Sequence, residues 1–212
     1  MTGWLLVVGS LSFIVGAFNP AVWQVWSAPL DAQLRLIHDA PLAWSITNAL
    51  FFIATVLTAA GLWFVPERVG EKRRMAAQAA AVGYLLAASA WLASLTFRLA
   101  VTPDAAATFV SAGSLDPTYI LMNHWALGLF GAFTYVAGGS LVALGVAVLS
   151  GRNLSAAVGW FSILVGLVIT IGYAIFGDMP PFVAYLPTGL LGLVLLRQRV
   201  VRVAAQTPQR AQ

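Results

Sequence analysis

The chain has 212 residues, of which 60% are hydrophobic and only 8% are charged. A typical soluble domain carries about 25% charged residues, so this composition excludes an ordinary soluble protein and indicates a membrane protein. The absence of cysteine excludes disulfides, thiolate metal sites and a cysteine nucleophile. The net charge of +4 comes from loops beside apolar segments, where it sets orientation and does not indicate nucleic-acid binding.

Six apolar segments are long enough to cross a bilayer, which takes about 20 residues of helix. In lipid each segment must be helical, because unpaired backbone groups find no water there. The segments are 4–26, 42–65, 75–101, 119–149, 154–176 and 179–196. The sequence therefore predicts an all-α, polytopic membrane protein, a six-transmembrane-helix bundle formed by a single domain, 1–202, with a disordered cytoplasmic tail, 203–212. The first segment is interpreted as a retained helix and not as a secretory signal, because it lacks a basic start and is too long.

Basic residues concentrate in every second break between these segments. The basic breaks contain Arg68, Lys72, Arg73, Arg74 and Arg152, and the tail adds Arg197, Arg199, Arg202 and Arg210. The remaining breaks contain five aspartates, with Arg35 as their one basic loop residue. Because loops rich in Lys and Arg stay in the cytoplasm, both termini are expected to be cytoplasmic, in a bacterial inner membrane or a plasma membrane.

The first outer loop contains an amphipathic pattern at 29–39. Leu30, Leu34 and Ile37 fall at helical spacing among polar residues, and Pro29 suits the start of a helix. We expect a short helix on the outer membrane face. It would act either as a plain connector or as a lid over an outward-facing cavity.

Glycines recur seven residues apart in three of the segments. This period keeps them on one helix face and lets neighbouring helices approach closely in a left-handed bundle. The glycines are Gly9 and Gly16, then Gly131, Gly138 and Gly145, then Gly159 and Gly166.

Polar side chains inside the apolar segments are the candidates for function, because lipid makes such residues costly. We predict that six candidate ligand-binding residues near the outer ends of the helices face one polar pocket. They are Asn19, Asn48, Arg98, Asn123, His124 and Asp178. Asp178 is the expected counter-charge of Arg98 or of a protonated His124. His124 is expected on the face of Gly131 and Gly138, within the packed seam.

Each candidate also has a purely structural explanation. Arg98 can extend toward lipid headgroups, Asn19 can end a helix because it precedes Pro20, and Asp178 lies in a turn sequence. Asn48 can bond a neighbouring helix. For His124 a structural hydrogen bond stands beside a chemical role.

The motifs of common membrane enzymes are absent from the sequence. His38 and His124 are the only histidines and fit no zinc-protease motif, and a haem held by both is the one alternative. Ser140 follows His124 by 16 residues, about 24 Å along a helix, which is too far for a serine–histidine pair. Asp178 has no second intramembrane carboxylate. We predict no catalytic residue, no metal and no cofactor.

Three segments carry a resemblance to other proteins: NHWALG at 123–128, SGRNL at 150–154 and PTGLLG at 187–192. Over these segments, which cover under half of the chain, it resembles uncharacterised bacterial multi-pass integral membrane protein families. The resemblance implies a bacterial multi-helix membrane protein and carries no activity with it.

Three functions are consistent with the sequence. The first is binding of a small or lipid-like ligand in the outward-facing pocket, as a sensor, a carrier or an accessory subunit. The second is a membrane-embedded enzyme that uses His124 as acid or base, with Arg98 or Asn123 holding the substrate. The third is a structural subunit of a membrane complex. The absence of paired catalytic groups favours the first and third. Expected partners are the lipid bilayer, a small molecule or lipid, and other membrane proteins, with no nucleic acid.

Overall fold

The computed structural model describes residues 1–69, 71–149 and 155–206, without the side chains of 72 and 199–206. The described residues form helices and contain no strand. The α-helices are α1 (Thr2–Ala17), α2 (Leu30–Asp39), α3 (Pro41–Trp63), α4 (Arg74–Ala100), α5 (Thr102–Ala112), α6 (Pro117–Leu149), α7 (Ala156–Phe176) and α8 (Leu186–Gln206). Three short 3-10 segments are Trp23–Trp26, Glu71–Arg73 and Pro181–Tyr185. The loop at 150–154 and residues 207–212 lie outside the described residues. Of the predicted tail, 203–212, residues 203–206 belong to α8.

Five helical stretches are long and apolar enough to cross a membrane, as in a multi-pass membrane protein. They are α3, α4 continued by α5, α6, α7, and the stretch Pro181–Gln198. α1 is also apolar, but its 16 residues extend only about 24 Å. The hydrocarbon core of a bilayer is about 30 Å thick. Length and composition thus identify five of the six predicted crossings.

The first predicted segment, 4–26, ends as an α-helix at Ala17 and not at residue 26. Asn19 precedes Pro20, and proline disfavours the helical conformation in the residue before it. The Asn19 side chain fixes the resulting turn, because its Oδ1 accepts the Ala21 N–H at 3.2 Å. The chain then continues through the 3-10 segment Trp23–Trp26.

The six long helices α1, α3, α4, α6, α7 and α8 form a ring in chain order. Residue contacts show that α1 is antiparallel to α3 and α8, and that α6 is antiparallel to α4 and α7. Hydrogen bonds join several neighbours: Trp44 Nε1 of α3 donates to the Arg98 carbonyl of α4 at 2.9 Å, and Ser94 Oγ of α4 donates to the Ala126 carbonyl of α6 at 3.0 Å. α1 closes the ring between α3 and α8. The chain therefore folds as an up-and-down bundle with sequence neighbours in contact.

The glycines spaced by seven residues lie at helix contacts, as the sequence predicts. A Cβ added at Gly138 would lie 2.9 Å from the Gly166 carbonyl oxygen, and one at Gly145 would lie 2.5 Å from that of Gly159. Only glycine permits this distance between α6 and α7, and the close approach gives the dispersion contact that holds membrane helices together.

α2, α5 and the segment Trp23–Trp26 pack over one end of the ring, and we call this unit the cap. α2 buries Leu34 and Ile37, as its sequence predicts, but it packs against α5 and does not lie alone on the membrane surface. α5 was not among the predicted elements. This helix has Pro103 in its first turn and ends at Gly113, whose φ is 72°.

The 3-10 segment Pro181–Tyr185 enters the centre of the ring. Tyr185 is fully buried, and its ring stacks on Phe13 of α1 with centroids 4.0 Å apart. Its carbonyl oxygen accepts from Ser10 Oγ at 2.8 Å and from Thr188 Oγ1 at 2.9 Å. α8 therefore begins late, in line with the prolines around its start.

Candidate functional site

A cavity of about 330 Å³ lies between the cap and the first turns of α6. Small-molecule sites in proteins typically occupy roughly 300–1,000 Å³. α6 reaches this cavity because its 33 residues extend about 50 Å, well beyond the hydrocarbon core. The apolar lining comes from α2, α4, α5 and α6 and includes Leu34, Val101, Phe109, Leu115 and Met122.

The polar lining of the cavity comes from α5 and the start of α6. Asp104 is exposed in the first turn of α5. Asp116 precedes α6, and its Oδ1 accepts the Thr118 N–H at 2.7 Å. No basic side chain is among the residues that line the cavity. The cavity thus combines apolar surface with two carboxylates, an arrangement suited to an amphiphilic molecule with a positive head group.

None of the six predicted binding residues lines this cavity. The cavity was not predicted, because residues 102–118 contain no apolar run long enough to cross a bilayer and separate two predicted segments. A signal was present: Thr102, Pro103 and Asp104 form a helix start, and Gly113 is a typical helix stop. Two short helices in the breaks that contain the aspartates would have indicated a cap.

Arg98 points from the cap end of α4 into the molecule, between two indole rings. Its guanidinium carbon lies 5.4 Å from the centre of the Trp91 ring and 5.6 Å from that of Trp26. Helical side chains tilt toward the helix N-terminus, which in α4 lies at the ring end opposite the cap. Arg98 is half-buried, and its orientation matches an inward role better than extension toward headgroups.

Asn48 and Asn19 lie around the first turns of α3, the helix whose Trp44 indole bonds the Arg98 carbonyl. Asn48 is fully buried, and its Nδ2 donates to the Trp44 carbonyl at 2.9 Å. Its Oδ1 has no partner among the described residues. Asn19 Nδ2 donates to Thr47 Oγ1 at 2.9 Å. Trp44 therefore links Asn48 to Arg98, and Asn19, which follows α1, bonds α3 at Thr47.

Asn123 and His124 lie elsewhere, on α6. His124 is exposed and Asn123 is half-buried, so His124 does not lie in the expected seam. Along that seam Gly131 packs against Tyr173 of α7, and α7 ends only three residues later, at Phe176. α6 continues beyond this point, and no part of α7 reaches the level of His124.

Asp178 occupies the turn after α7 and is exposed. Its Oδ1 accepts the Met179 N–H at 2.8 Å, which is ordinary turn chemistry. Asp178 attracts the Arg98 charge through space but forms no ion pair with it. Whether any of the six residues binds a ligand stays a prediction.

Comparison with known proteins gives no match, whether with protein-family models, curated proteins or solved structures. The resemblance to uncharacterised bacterial membrane families is therefore supported only by the three sequence segments.

Proposed function

We propose that the protein crosses the membrane six times, with both termini in the cytoplasm, and binds a small amphiphilic ligand in the cap cavity on the outer side. Contacts of α1 support the sixth crossing. Gly3 packs against Gly192 of α8, far from the cap, whereas Gly16 packs against Phe51 near it. α1 therefore extends through the depth of the ring beside helices that are long enough to cross.

The distribution of charge supports this orientation. The described end opposite the cap carries mainly basic residues, and the cap end carries mainly aspartates. The basic residues include Arg68, Arg73, Arg74 and Arg197, and the aspartates are Asp31, Asp39, Asp104, Asp116 and Asp178. Basic loops remain in the cytoplasm, which favours an outward-facing cap.

The cavity is the single observation that carries the ligand-binding function. Its apolar lining suits a hydrocarbon or aromatic body, and Asp104 and Asp116 at its edge suit a positive head group. Arg35, the nearby basic residue of α2, holds its guanidinium carbon 5.0 Å from the centre of the Phe109 ring and is not part of the lining. The ligand class supported best is a small organic cation with an apolar tail.

The two alternative functions have less support. His124 is exposed, and its side chain makes no hydrogen bond with the part of the chain that the structure describes, so no base and orienting partner are assembled. The glycine faces that a partner subunit would need are occupied within the molecule, as between Gly138 and Gly166. Ligand binding is therefore the function that the geometry supports best.

Thermal unfolding in a neutral detergent tests the proposal with three probes of equal chain length: hexyltrimethylammonium, hexanol and hexanoate. A ligand that binds only the folded state raises the unfolding temperature in a saturable way. We expect saturable stabilisation by the cation alone. Stabilisation of similar size by hexanol or hexanoate would contradict the proposed cation site.

Three variants locate the effect. Asp104→Asn should weaken the apparent affinity for the cation about tenfold, because it removes one charge-assisted interaction. Asp31→Asn is the matched control, since Asp31 is also an exposed aspartate in the first turn of a cap helix. Thr108→Trp should block binding by filling the cavity. Equal weakening in Asp104→Asn and Asp31→Asn would argue against the cavity as the site.

A further inference from the structure

Arg98 is a positive charge within an apolar bundle, and its compensation is incomplete. The faces of its guanidinium are covered by Trp91 and Trp26, which attract a cation through their ring electrons. The five N–H donors, however, point outward in the guanidinium plane. They make no hydrogen bond and no ion pair with any residue that the structure describes.

The polar groups around Arg98 do not complete its hydrogen bonding, and Asp178 attracts its charge only through space, without an ion pair. The Trp91 indole N–H is buried without an acceptor, and the Trp44 indole N–H is taken by the Arg98 carbonyl. Asn48 Oδ1 is a buried acceptor without a donor, yet it makes no hydrogen bond to Arg98. A buried polar group without a partner is unfavourable, and an intramembrane charge is a sign of function.

We infer that Arg98, held between Trp26 and Trp91, is a binding site for an oxyanion, a carboxylate or phosphate group. The planar guanidinium presents paired donors that match both groups, and Arg98 is only half-buried. A phospholipid headgroup and a small soluble anion carry the same chemistry. Arg98 does not line the cap cavity, so this inference does not rest on the proposed function.

The test measures thermal unfolding of the full chain in a neutral detergent. The probes are phosphatidylglycerol against phosphatidylcholine, and sodium phosphate against sodium chloride at equal ionic strength. We expect a saturable rise of the unfolding temperature with phosphatidylglycerol, with phosphate, or with both. A rise with the lipid alone identifies a headgroup as the source, and a rise with phosphate alone identifies a soluble anion.

Arg98→Lys keeps the charge but loses the planar fork, and it should weaken the apparent affinity about tenfold or more. Arg35→Lys is the matched control, because Arg35 also lies over an aromatic ring at the cap end but is exposed. This control should bind like the natural protein.

Trp91→Phe keeps an aromatic face and removes one buried donor. It is the variant to measure if Arg98→Lys does not fold. It should weaken the affinity roughly two- to tenfold. The inference is overturned if no anion gives a saturable rise. It is also overturned if Arg35→Lys loses binding as Arg98→Lys does, or if neither Arg98→Lys nor Trp91→Phe changes the affinity.

Discussion

Tyr185 joins the 3-10 segment Pro181–Tyr185 to three helices through one side chain. Its ring stacks on Phe13 of α1, and its hydroxyl lies 2.8 Å from Thr55 Oγ1 of α3. The hydroxyl of Tyr84 in α4 faces it but makes no hydrogen bond of good geometry. In a bundle with an apolar interior, these few polar contacts fix where the segment enters.

Tyr185→Phe removes the hydroxyl while keeping the stacked ring. We expect a loss of about 1 kcal/mol in the free energy of unfolding, the typical contribution of one intramolecular hydrogen bond. Unfolding in mixed micelles with increasing sodium dodecyl sulfate measures it. Tyr135→Phe is the control, because the Tyr135 side chain is 45% exposed, and its change should stay within about 0.5 kcal/mol. Equal losses in both variants would refute the role given to Tyr185.

At the residue scale, the sequence identifies which polar residues lie inside apolar segments but not what surrounds them. Arg98 and His124 both lie near the cap ends of their helices. Arg98 meets Trp26, which reaches it from the cap, whereas His124 lies beyond the end of α7. Whether such a residue is covered depends on the lengths of the neighbouring elements. The residue pattern within α6 alone does not show that α7 ends before His124.

At the element scale, the seam between α6 and α7 depends on glycine at particular positions. Gly138 faces Thr170 and the Gly166 carbonyl, and Thr170 Oγ1 already donates to that carbonyl at 2.8 Å. Gly139, the next residue, has open space around its added Cβ. A substitution at Gly138 therefore tests close packing against α7, and the same substitution at Gly139 tests helix propensity alone.

Gly138→Ala should destabilise the protein, because overpacking costs about 1–3 kcal/mol and the higher helix propensity of alanine offsets only about 1 kcal/mol. Gly139→Ala should be neutral or stabilising by up to about 1 kcal/mol. The same mixed-micelle unfolding measures both. A stabilised Gly138→Ala variant would show that α6 and α7 lie further apart than described.

The five candidate crossings were predictable because a long apolar run must be helical in lipid. The seven-residue glycine spacing likewise predicted the helix contacts. α5 was missed because its 11 residues are too short to cross, and a reading by span length assigns such a segment to a loop. The only sequence signal for the early end of α1 is Asn19 before Pro20. The apolar run on both sides of this pair predicted a longer helix instead.

At the scale of the whole molecule, the ring order follows the chain order, so topology and packing support each other. α1 is antiparallel to both α3 and α8, and Gly3 meets Gly192 while Gly9 meets Thr58. If α3 and α8 cross the membrane, a neighbour packed along both also crosses it, although α1 is short. The cap then extends the molecule on the side where α1 ends.

Single cysteines test this arrangement directly, since the chain has none of its own. With a membrane-impermeant maleimide on intact cells, Gln24→Cys and Ser114→Cys, both exposed at the cap end, should be labelled. Ser155→Cys, exposed at the opposite end, should be labelled only after lysis, because the positive-inside rule keeps that end in the cytoplasm. A cysteine inserted after Met1 should behave like Ser155→Cys.

If the inserted cysteine is labelled on intact cells while Ser155→Cys is protected, α1 does not cross the membrane. Labelling of Ser155→Cys with protection of Ser114→Cys would reverse the orientation and turn the cap cavity toward the cytoplasm.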